Sequence, residues 1–185
     1  MQKLMITLIV SFLFANCARE ETIWPIVTQS RALMPDSISQ APYININDVN
    51  DTIYLSFGAY IHNIVPIGDD GEGVESTSQL VTMIHTSGNE TFNLTLQSRG
   101  FEDGDKMTMR DLEGNVRWAI DIFNGMINPG EFTTILPEFV AGNDTLTDVI
   151  IGERPSDGIE MFVFQPQQNR RFTVLKKDGT FYKKP

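Results

Sequence analysis

Apolar and polar residues alternate with a period of two along most of the chain between residues 53 and 182. The clearest stretch is Thr91 to Gln97, in which Phe92, Leu94 and Leu96 are separated by single polar residues. Such alternation is typical of a strand with one face on a core and the other in water. No segment has the spacing of apolar residues that an amphipathic helix requires. The chain is therefore expected to be all-β.

The alternating runs are short and follow one another closely, with turn residues such as Asn128-Pro129-Gly130 and Lys177-Asp178-Gly179 between them. Two of the runs, joined by Asp111 to Asn115, are expected to form a hairpin. We assign the runs to residues 53–61, 79–85, 91–97, 107–110, 116–122, 132–136, 146–151, 159–164, 172–175 and 180–182. This spacing predicts one antiparallel β-sandwich, jelly-roll or immunoglobulin-like, of roughly nine or ten strands over residues 41–185.

Composition excludes several classes of protein. The only cysteine is Cys17, so neither a disulfide framework nor a cysteine-based metal site is available to the domain. The formal net charge of −10 argues against binding to nucleic acid, which needs clustered cations. Six basic residues do lie between Arg170 and Lys184. We interpret them as the solvated face of an edge hairpin, with an anion contact as the alternative.

The first residues have the layout of a secretory signal. Lys3 supplies a positive charge, residues 4–14 are an apolar run too short to span a bilayer, and Ala15 is a small residue at the end of that run. We therefore predict a signal peptide over residues 1–16 and an exported protein. Residues 17–40 have no sustained period and are expected to be a tether, which is shorter if residues 23–26 dock on the domain as a first strand.

Phe14-Ala15-Asn16-Cys17 resembles the lipobox of bacterial lipoproteins, although that family prefers Leu where Phe14 stands and Gly, Ala or Ser where Asn16 stands. The resemblance implies that Cys17 is diacylated and becomes the first residue of the mature protein, anchored to a membrane. Ala18 in the next position implies the outer membrane, where the cell has one. The alternative is an ordinary signal peptide that is cut after Ala15 or Ala18.

Two acidic loops are candidate calcium sites, since calcium binds several carboxylate and carbonyl oxygens. The first contains Asp69, Asp70 and Glu72, and the second contains Asp103 and Asp105. They form one site if the loops meet at the same end of the domain. The alternative is that both loops are simple chain reversals rich in Asp and Gly.

Four Asn-x-Thr sequons begin at Asn50, Asn89, Asn93 and Asn143, and in a secreted eukaryotic protein they would be glycan sites. A further set of residues is similar to part of CUB-like sandwich domains, although the cysteines usual in CUB domains are missing. It comprises Asp111 to Val116, Phe139 to Asn143 and Ile159 to Phe164. This resemblance implies a secreted, N-glycosylated domain with an adhesive or carbohydrate-binding role.

The sequence contains no catalytic or nucleotide-binding fingerprint. The two histidines, His62 and His85, end predicted strands and have no spacing that indicates a shared site. We therefore predict a cell-envelope lipoprotein with a non-catalytic binding or scaffolding domain. Its partners are expected to be the membrane, through the lipid on Cys17, and a protein or glycan ligand. A glycan-active hydrolase that uses Glu and Asp pairs from the two acidic loops is a further alternative.

Overall fold

The computed structural model describes residues 22–67, 71–100, 104–154, 159–166 and 170–185. Most of this part of the chain is β-strand, with one short helix, α1, at Thr28–Arg31. The strands are β1 Ile23–Trp24, β2 Ile38–Asn45, β3 Thr52–Phe57, β4 Ile61–Ile67, β5 Glu72–His85, β6 Gly88–Ser98, β7 Asp105–Asp111, β8 Val116–Phe123, β9 Met126–Pro129, β10 Thr133–Ala141, β11 Asp144–Glu153, β12 Ile159–Gln165, β13 Arg170–Lys177 and β14 Thr180–Lys183.

The strands belong to one sheet that curls into a nearly closed barrel. Its order is β10-β11-β12-β13-β14-β2-β3-β5-β6-β7-β8-β9, and all of these pairs are antiparallel. The two ends of this order, β9 and β10, are consecutive in the chain. Residues 130–132 join them, and the backbone N–H of Ala119 on β8 donates to the carbonyl of Glu131 (2.9 Å). The amide of Glu153 on β11 donates to the carbonyl of Phe132 (2.8 Å).

The prediction of an all-β antiparallel domain is confirmed, including the β7–β8 hairpin, in which Met109 pairs with Trp118. The predicted sandwich of separate sheets is instead one continuous sheet, because β14 pairs with β2 and brings the last strand back to the first long one. There are fourteen strands in the described residues rather than nine or ten. The single run predicted over residues 53–61 is interrupted at 58–60, where the Gly58 amide donates to the carbonyl of Leu80 (2.8 Å) and β4 begins afterwards.

Aromatic side chains fill the interior of the barrel. Phe172 lies at the centre, with ring centroids 5.6 Å from Phe57, 5.8 Å from both Phe162 and Phe164, and 6.2 Å from Trp118. Trp118 is fully buried. These rings belong to strands from both halves of the chain, so the core forms only when the sheet has curled around it.

A second apolar cluster lies on the other face of β12 and β13. Alternate residues on these strands point away from the barrel interior, and Val163 and Val174 are fully buried there by the β10–β11 hairpin. β11 pairs with β12 only at Ile150 to Glu153, so the rest of the hairpin is free to cross the outer face. The buried members of this cluster are Ala141, Leu146, Val149, Ile151, Met161, Val163 and Val174.

Residues 22–34 close one end of the barrel. β1 pairs in parallel with β5 at Gly73 and Val74, and Ile26 and Met34 are buried in the main core. The predicted tether of residues 17–40 therefore contains folded structure from Thr22 onward, and the alternative of a first strand near Ile23 is the one observed. In the residues that the structure describes, no helix has the length and hydrophobicity needed to cross a membrane.

Candidate functional site

A polar network centred on Asp51 joins strands β2, β5 and β14 to the β2–β3 loop and the β5–β6 turn; we call it the Asp51 cluster. One carboxylate oxygen of Asp51 accepts hydrogen bonds from the Tyr182 hydroxyl (2.7 Å) and the Asn45 side-chain amide (2.8 Å). The other lies 3.1 Å from Nε2 of His85. On the far side of the ring, Nδ1 of His85 is 2.9 Å from the Ser87 hydroxyl. These five side chains make up the cluster.

Local turn chemistry places Asp51 in this position. The Asn45 side-chain oxygen accepts from the amide of Asn47 (2.8 Å), and that of Asp48 accepts from the amide of Asn50 (3.0 Å). Both contacts are Asx turns, which Asn and Asp favour. The Asn45 amide then donates to the Asp51 carbonyl (2.9 Å), closing the loop between β2 and β3. The carboxylate is thereby directed toward β14 and the end of β5.

Hydrogen bonding changes the titration of two groups in the cluster. Bonds from Asn45 and then from Tyr182 stabilise the carboxylate and lower the pKa of Asp51 below its ordinary 3.8, with a smaller contribution from His85. Burial, followed by the bond to Asp51, raises the pKa of the Tyr182 phenol. Asp51 is therefore the anion and Tyr182 the neutral donor at neutral pH.

The Ser87, His85 and Asp51 side chains form a linear chain of contacts. When His85 donates from Nε2 to Asp51, its Nδ1 is left as an acceptor for the Ser87 hydroxyl. That proton order is the one a serine nucleophile needs, with the two ring nitrogens exchanged relative to the usual serine-protease arrangement. Ser87 is exposed in the turn between β5 and β6. The same contact also fixes the turn, because the Ser87 amide lies 3.4 Å from Nδ1.

A polar groove of about 380 Å³ lies beside the cluster and shares Asn45 with it. One wall is residues 44–47 and the C-terminal residues 183–185; the other is the tip of the β10–β11 hairpin. Lys183 forms an ion pair with Asp144 across the groove, while Asn47 and Asn143 are exposed. Gly142 lets the tip of the β10–β11 hairpin lie close to Ile46, since a β-carbon on Gly142 would lie 2.9 Å from Ile46 Cδ1. The groove thus presents amide groups and an ion pair, which suit a ligand rich in hydroxyl groups.

Most of the predicted calcium ligands, namely Asp69, Asp70 and Asp103, lie outside the described residues. Glu72 is exposed at the start of β5. Asp105 is 1% exposed, and its Oδ2 accepts a hydrogen bond from the Val27 amide (3.1 Å). Asp105 also lines a cavity of about 530 Å³ between residues 24–29 and the β8–β9 hairpin. Within the described ranges no three His, Cys, Asp or Glu side chains are close enough to hold a metal ion.

The remaining predicted sites are Cys17, the four sequon asparagines and the two histidines. Cys17 is outside the described residues. Asn50, Asn89 and Asn143 are exposed in or next to turns, and Asn93 is half-buried on β6. The histidines are separate: His62 contacts the Thr77 hydroxyl through Nδ1 (2.9 Å), whereas His85 belongs to the Asp51 cluster.

The C-terminal basic residues are not on an edge hairpin, because β13 and β14 lie inside the sheet between β12 and β2. Two of the lysines pair with acids of other strands: Lys176 Nζ is 3.1 Å from Glu160, and Lys183 contacts Asp144. Lys177 is buried and its Nζ lies 3.4 Å from Asp178. The interpretation as an edge hairpin was wrong, since sequence alone does not indicate that β14 pairs with β2.

Sequence reasoning missed Asn45, Asp51, Ser87 and Tyr182 as members of one cluster. The only available signal was the Asx-rich stretch from Asn45 to Asp51, which marks an ordered loop but not its distant partners. Tyr182 is 131 positions away from Asp51 in the chain.

The fold and the cluster define a class: an all-β antiparallel domain with a filled barrel-like core and a polar network at one end. No protein-family model matches the chain, and no curated protein or solved structure matches it at a significant level.

Proposed function

We propose that the chain is a cell-envelope lipoprotein whose domain binds a ligand at its outer surface without catalysing a reaction. The lipobox-like residues 14–17 support the lipid anchor on Cys17. Thr22 is five positions after Cys17, and extended chain spans at most about 3.6 Å per residue, so a lipid on Cys17 holds Thr22, the residue before β1, within roughly 18 Å of a membrane.

The proposal that a ligand binds to the outer surface rests on one observation, namely that side chains fill the interior of the barrel. Trp118 and the phenylalanines around Phe172 occupy the space in which an open barrel would hold a small molecule. A ligand must therefore bind to loops and grooves outside the barrel, where function is usually found on a rigid β scaffold.

The polar groove is the proposed binding surface, and a glycan is the proposed ligand. Amides such as those of Asn47 and Asn143 both donate and accept, as sugar hydroxyls do. Asn45 lines the groove and is linked through Asp51 to His85 at the end of β5. β1 pairs with β5 at Gly73, which is twelve residues before His85, so up to about 40 Å of strand separates the two positions. The groove is thus far from the anchored end and accessible to ligands outside the cell.

Glycan binding is tested with the purified full chain on an array of bacterial and animal glycans, followed by titration calorimetry of any hit. Asn47→Ala and Asn143→Ala are expected to weaken binding about tenfold each, the loss of roughly one or two hydrogen bonds. Asn89→Ala removes a matched exposed sequon asparagine away from the groove and is expected to bind normally. Equal affinity for all variants would contradict the groove assignment.

The intact mass of the mature chain from its native source tests the anchor. A chain that begins at Cys17 and carries acyl groups supports the lipoprotein. A chain that begins at Asn16 or Arg19 and carries heterogeneous hexose supports the alternative, a secreted protein glycosylated at sequons such as Asn50, Asn89, Asn93 or Asn143.

A second candidate function is hydrolysis by a serine nucleophile, and the Ser87-His85-Asp51 contacts favour it. In this function His85 takes the Ser87 proton as Ser87 attacks an acyl group, and Asp51 stabilises the imidazolium that forms; His85 gives the proton to the leaving group as its bond to the acyl carbon breaks, and water then cleaves the acyl-serine ester. A fluorophosphonate probe would then label wild-type protein and not Ser87→Ala or His85→Ala. Absence of labelling in the wild type at neutral pH would remove the hydrolase from consideration.

A further inference from the structure

Strand β4 is exposed along its whole length. All seven residues from Ile61 to Ile67 are solvent-exposed, including four large apolar side chains. The exposed fractions are 55% for Ile61, 50% for Ile64, 38% for Val65 and 40% for Ile67. A strand of this composition is ordinarily half-buried, because apolar side chains in water forgo the stabilisation of burial.

One edge of β4 has no strand beside it in the described part of the chain. β4 pairs only with the first half of β5, from Ile61 with Ser78 to Ile67 with Glu72. Backbone N–H and C=O groups in a strand point alternately to its two edges. Pro66 has no N–H, and proline in a paired strand places its nitrogen on the open side. We infer that His62, Ile64 and Pro66 direct their backbone groups to the free edge.

The free edge carries no charged side chain to block pairing, and Pro66 is its one protective residue. Natural edge strands carry Lys or other charges, or are covered. The segment 61–67 has no Asp, Glu, Lys or Arg, in a chain with a net charge of −10. The edge is thus a neutral, apolar strip on an otherwise acidic molecule. Repulsion between two acidic copies is smallest where both present such a strip.

We propose that two copies of this chain associate through β4, pairing antiparallel about a two-fold axis at Ile64. The strand is self-complementary in this register. Ile61 of one copy lies opposite Ile67 of the second, Asn63 opposite Val65, and His62 opposite Pro66. The two Ile64 residues exchange both of their backbone hydrogen bonds, and each His62 amide donates to the Pro66 carbonyl of the other copy. The two sheets become one continuous sheet.

A second strand fits this surface better than a lipid surface does. Lipid would cover the apolar side chains but would leave the free backbone groups of His62 and Ile64 without hydrogen-bond partners. A strand satisfies both the backbone and the side chains. Pro66 limits the pairing to a short ladder, which favours a closed dimer over an extending fibre.

The first test is the mass of the full chain in a mild non-ionic detergent by light scattering, over roughly micromolar to 100 µM protein. We expect twice the mass of one copy at the upper concentrations. Ile64→Lys places two like charges opposite each other and should weaken association at least tenfold. Because the Ile64 side chain is half exposed, the variant should keep the wild-type melting temperature at low micromolar protein, where both are monomeric. Val49→Lys, at a 77% exposed loop position, is the matched control and should dimerise normally.

Disulfide trapping tests the register. In a Cys17→Ser background the chain has no other cysteine, and Ile64→Cys places two thiols across the two-fold axis. Directly opposite residues have α-carbons about 4.5 to 5.5 Å apart, within the range for a disulfide. Mild oxidation should cross-link Ile64→Cys and leave Val49→Cys mainly monomeric. A monomer at 100 µM with no preferential cross-linking would overturn the proposal, as would a monomer that sediments with vesicles only when Ile64 is intact.

Discussion

Asp51 links parts of the sheet that are far apart in the sequence. Its partners Asn45, His85 and Tyr182 belong to β2, β5 and β14. The bonds from Asn45 and Tyr182 lower the pKa of Asp51, so the folded state favours the ionised carboxylate more than the unfolded state does. Charge on this one residue therefore stabilises the contact between β14 and β2 that closes the sheet.

Replacing Asp51 with alanine should lower the free energy of unfolding by about 1–2 kcal/mol at pH 7, because hydrogen bonds to a partly exposed charged group are lost. Since the folded-state pKa lies below the ordinary 3.8, this stabilisation is present above that pH and is lost as the pH falls through the folded value. Urea unfolding at pH 7 and pH 3 measures the difference between wild type and variant. Glu138→Ala, on the exposed face of β10, is the control. An equal difference at both pH values would contradict the assignment.

Gly152 determines how closely β11 approaches β8. A β-carbon at this position would lie 2.3 Å from Cδ1 and 2.4 Å from Cγ of Trp118, which is fully buried. We expect Gly152→Ala to destabilise the domain by about 1–3 kcal/mol, since the ring or the strand must move. Gly58→Ala is the matched control, because its nearest neighbour is the Leu80 carbonyl oxygen at 3.4 Å. Denaturant unfolding followed by tryptophan fluorescence compares them, and equal midpoints would refute the close-packing argument.

Carboxylates attach the N-terminal segment 22–34 to the end of the barrel. Glu75 accepts from the Ile26 amide (3.0 Å) and contacts Arg31, and Asp105 accepts from the Val27 amide. Ile26 and Met34 add apolar burial. Asp105, which the sequence suggested as a calcium ligand, thus accepts a hydrogen bond that holds the segment predicted to be a tether.

Asp105→Ala should loosen this segment more than the rest of the sheet. The Val27 amide loses its acceptor in a buried position, which costs about 1–3 kcal/mol. Hydrogen exchange of the amides of residues 26–31 should become at least tenfold faster, while amides of β6 and β7 change less. Glu138→Ala should leave both regions unchanged. Uniform acceleration across the sheet would indicate global destabilisation instead.

At the scale of the whole molecule, one sheet encloses the main core and the β10–β11 hairpin covers a second core outside it. Among the described strands, β4 keeps the exposed apolar edge considered above. Calcium binding by the acidic loops remains a prediction, with Asp105 already bonded to Val27.

Millimolar calcium is expected to raise the melting temperature of the full chain by roughly 5 °C, because a ligand that binds only the folded state stabilises it by mass action. Differential scanning calorimetry in calcium, in magnesium and in a chelator measures this. Asp69→Asn combined with Asp70→Asn should abolish the shift. Identical melting temperatures with calcium and chelator would remove calcium from the account of this protein.

The sequence predicted the local structure well because its signals are local. Alternation in residues 91–97 correctly identified β6, with Phe92, Leu94 and Leu96 buried. The Asp111 to Asn115 turn correctly identified the β7–β8 hairpin. By contrast, β2 was missed: its first residues, Ile38 to Gln40, fall in the predicted tether, and Pro42 weakens the strand signal in the rest. β4 was not recognised as a separate strand because the break at residues 58–60 lies within a continuous alternating run.

By itself, the sequence determined that this protein is all-β and antiparallel, since side-chain alternation and turn residues act between neighbours in the chain. Only the tertiary structure decided that the sheet curls until β14 meets β2, that Asp105 holds Val27, and that Asp51, His85 and Tyr182 share one network. Each of these contacts joins residues at least 34 positions apart. Such pairs form because burial of the shared aromatic core makes curling of the whole sheet favourable, and no local pattern encodes which distant strands then become neighbours.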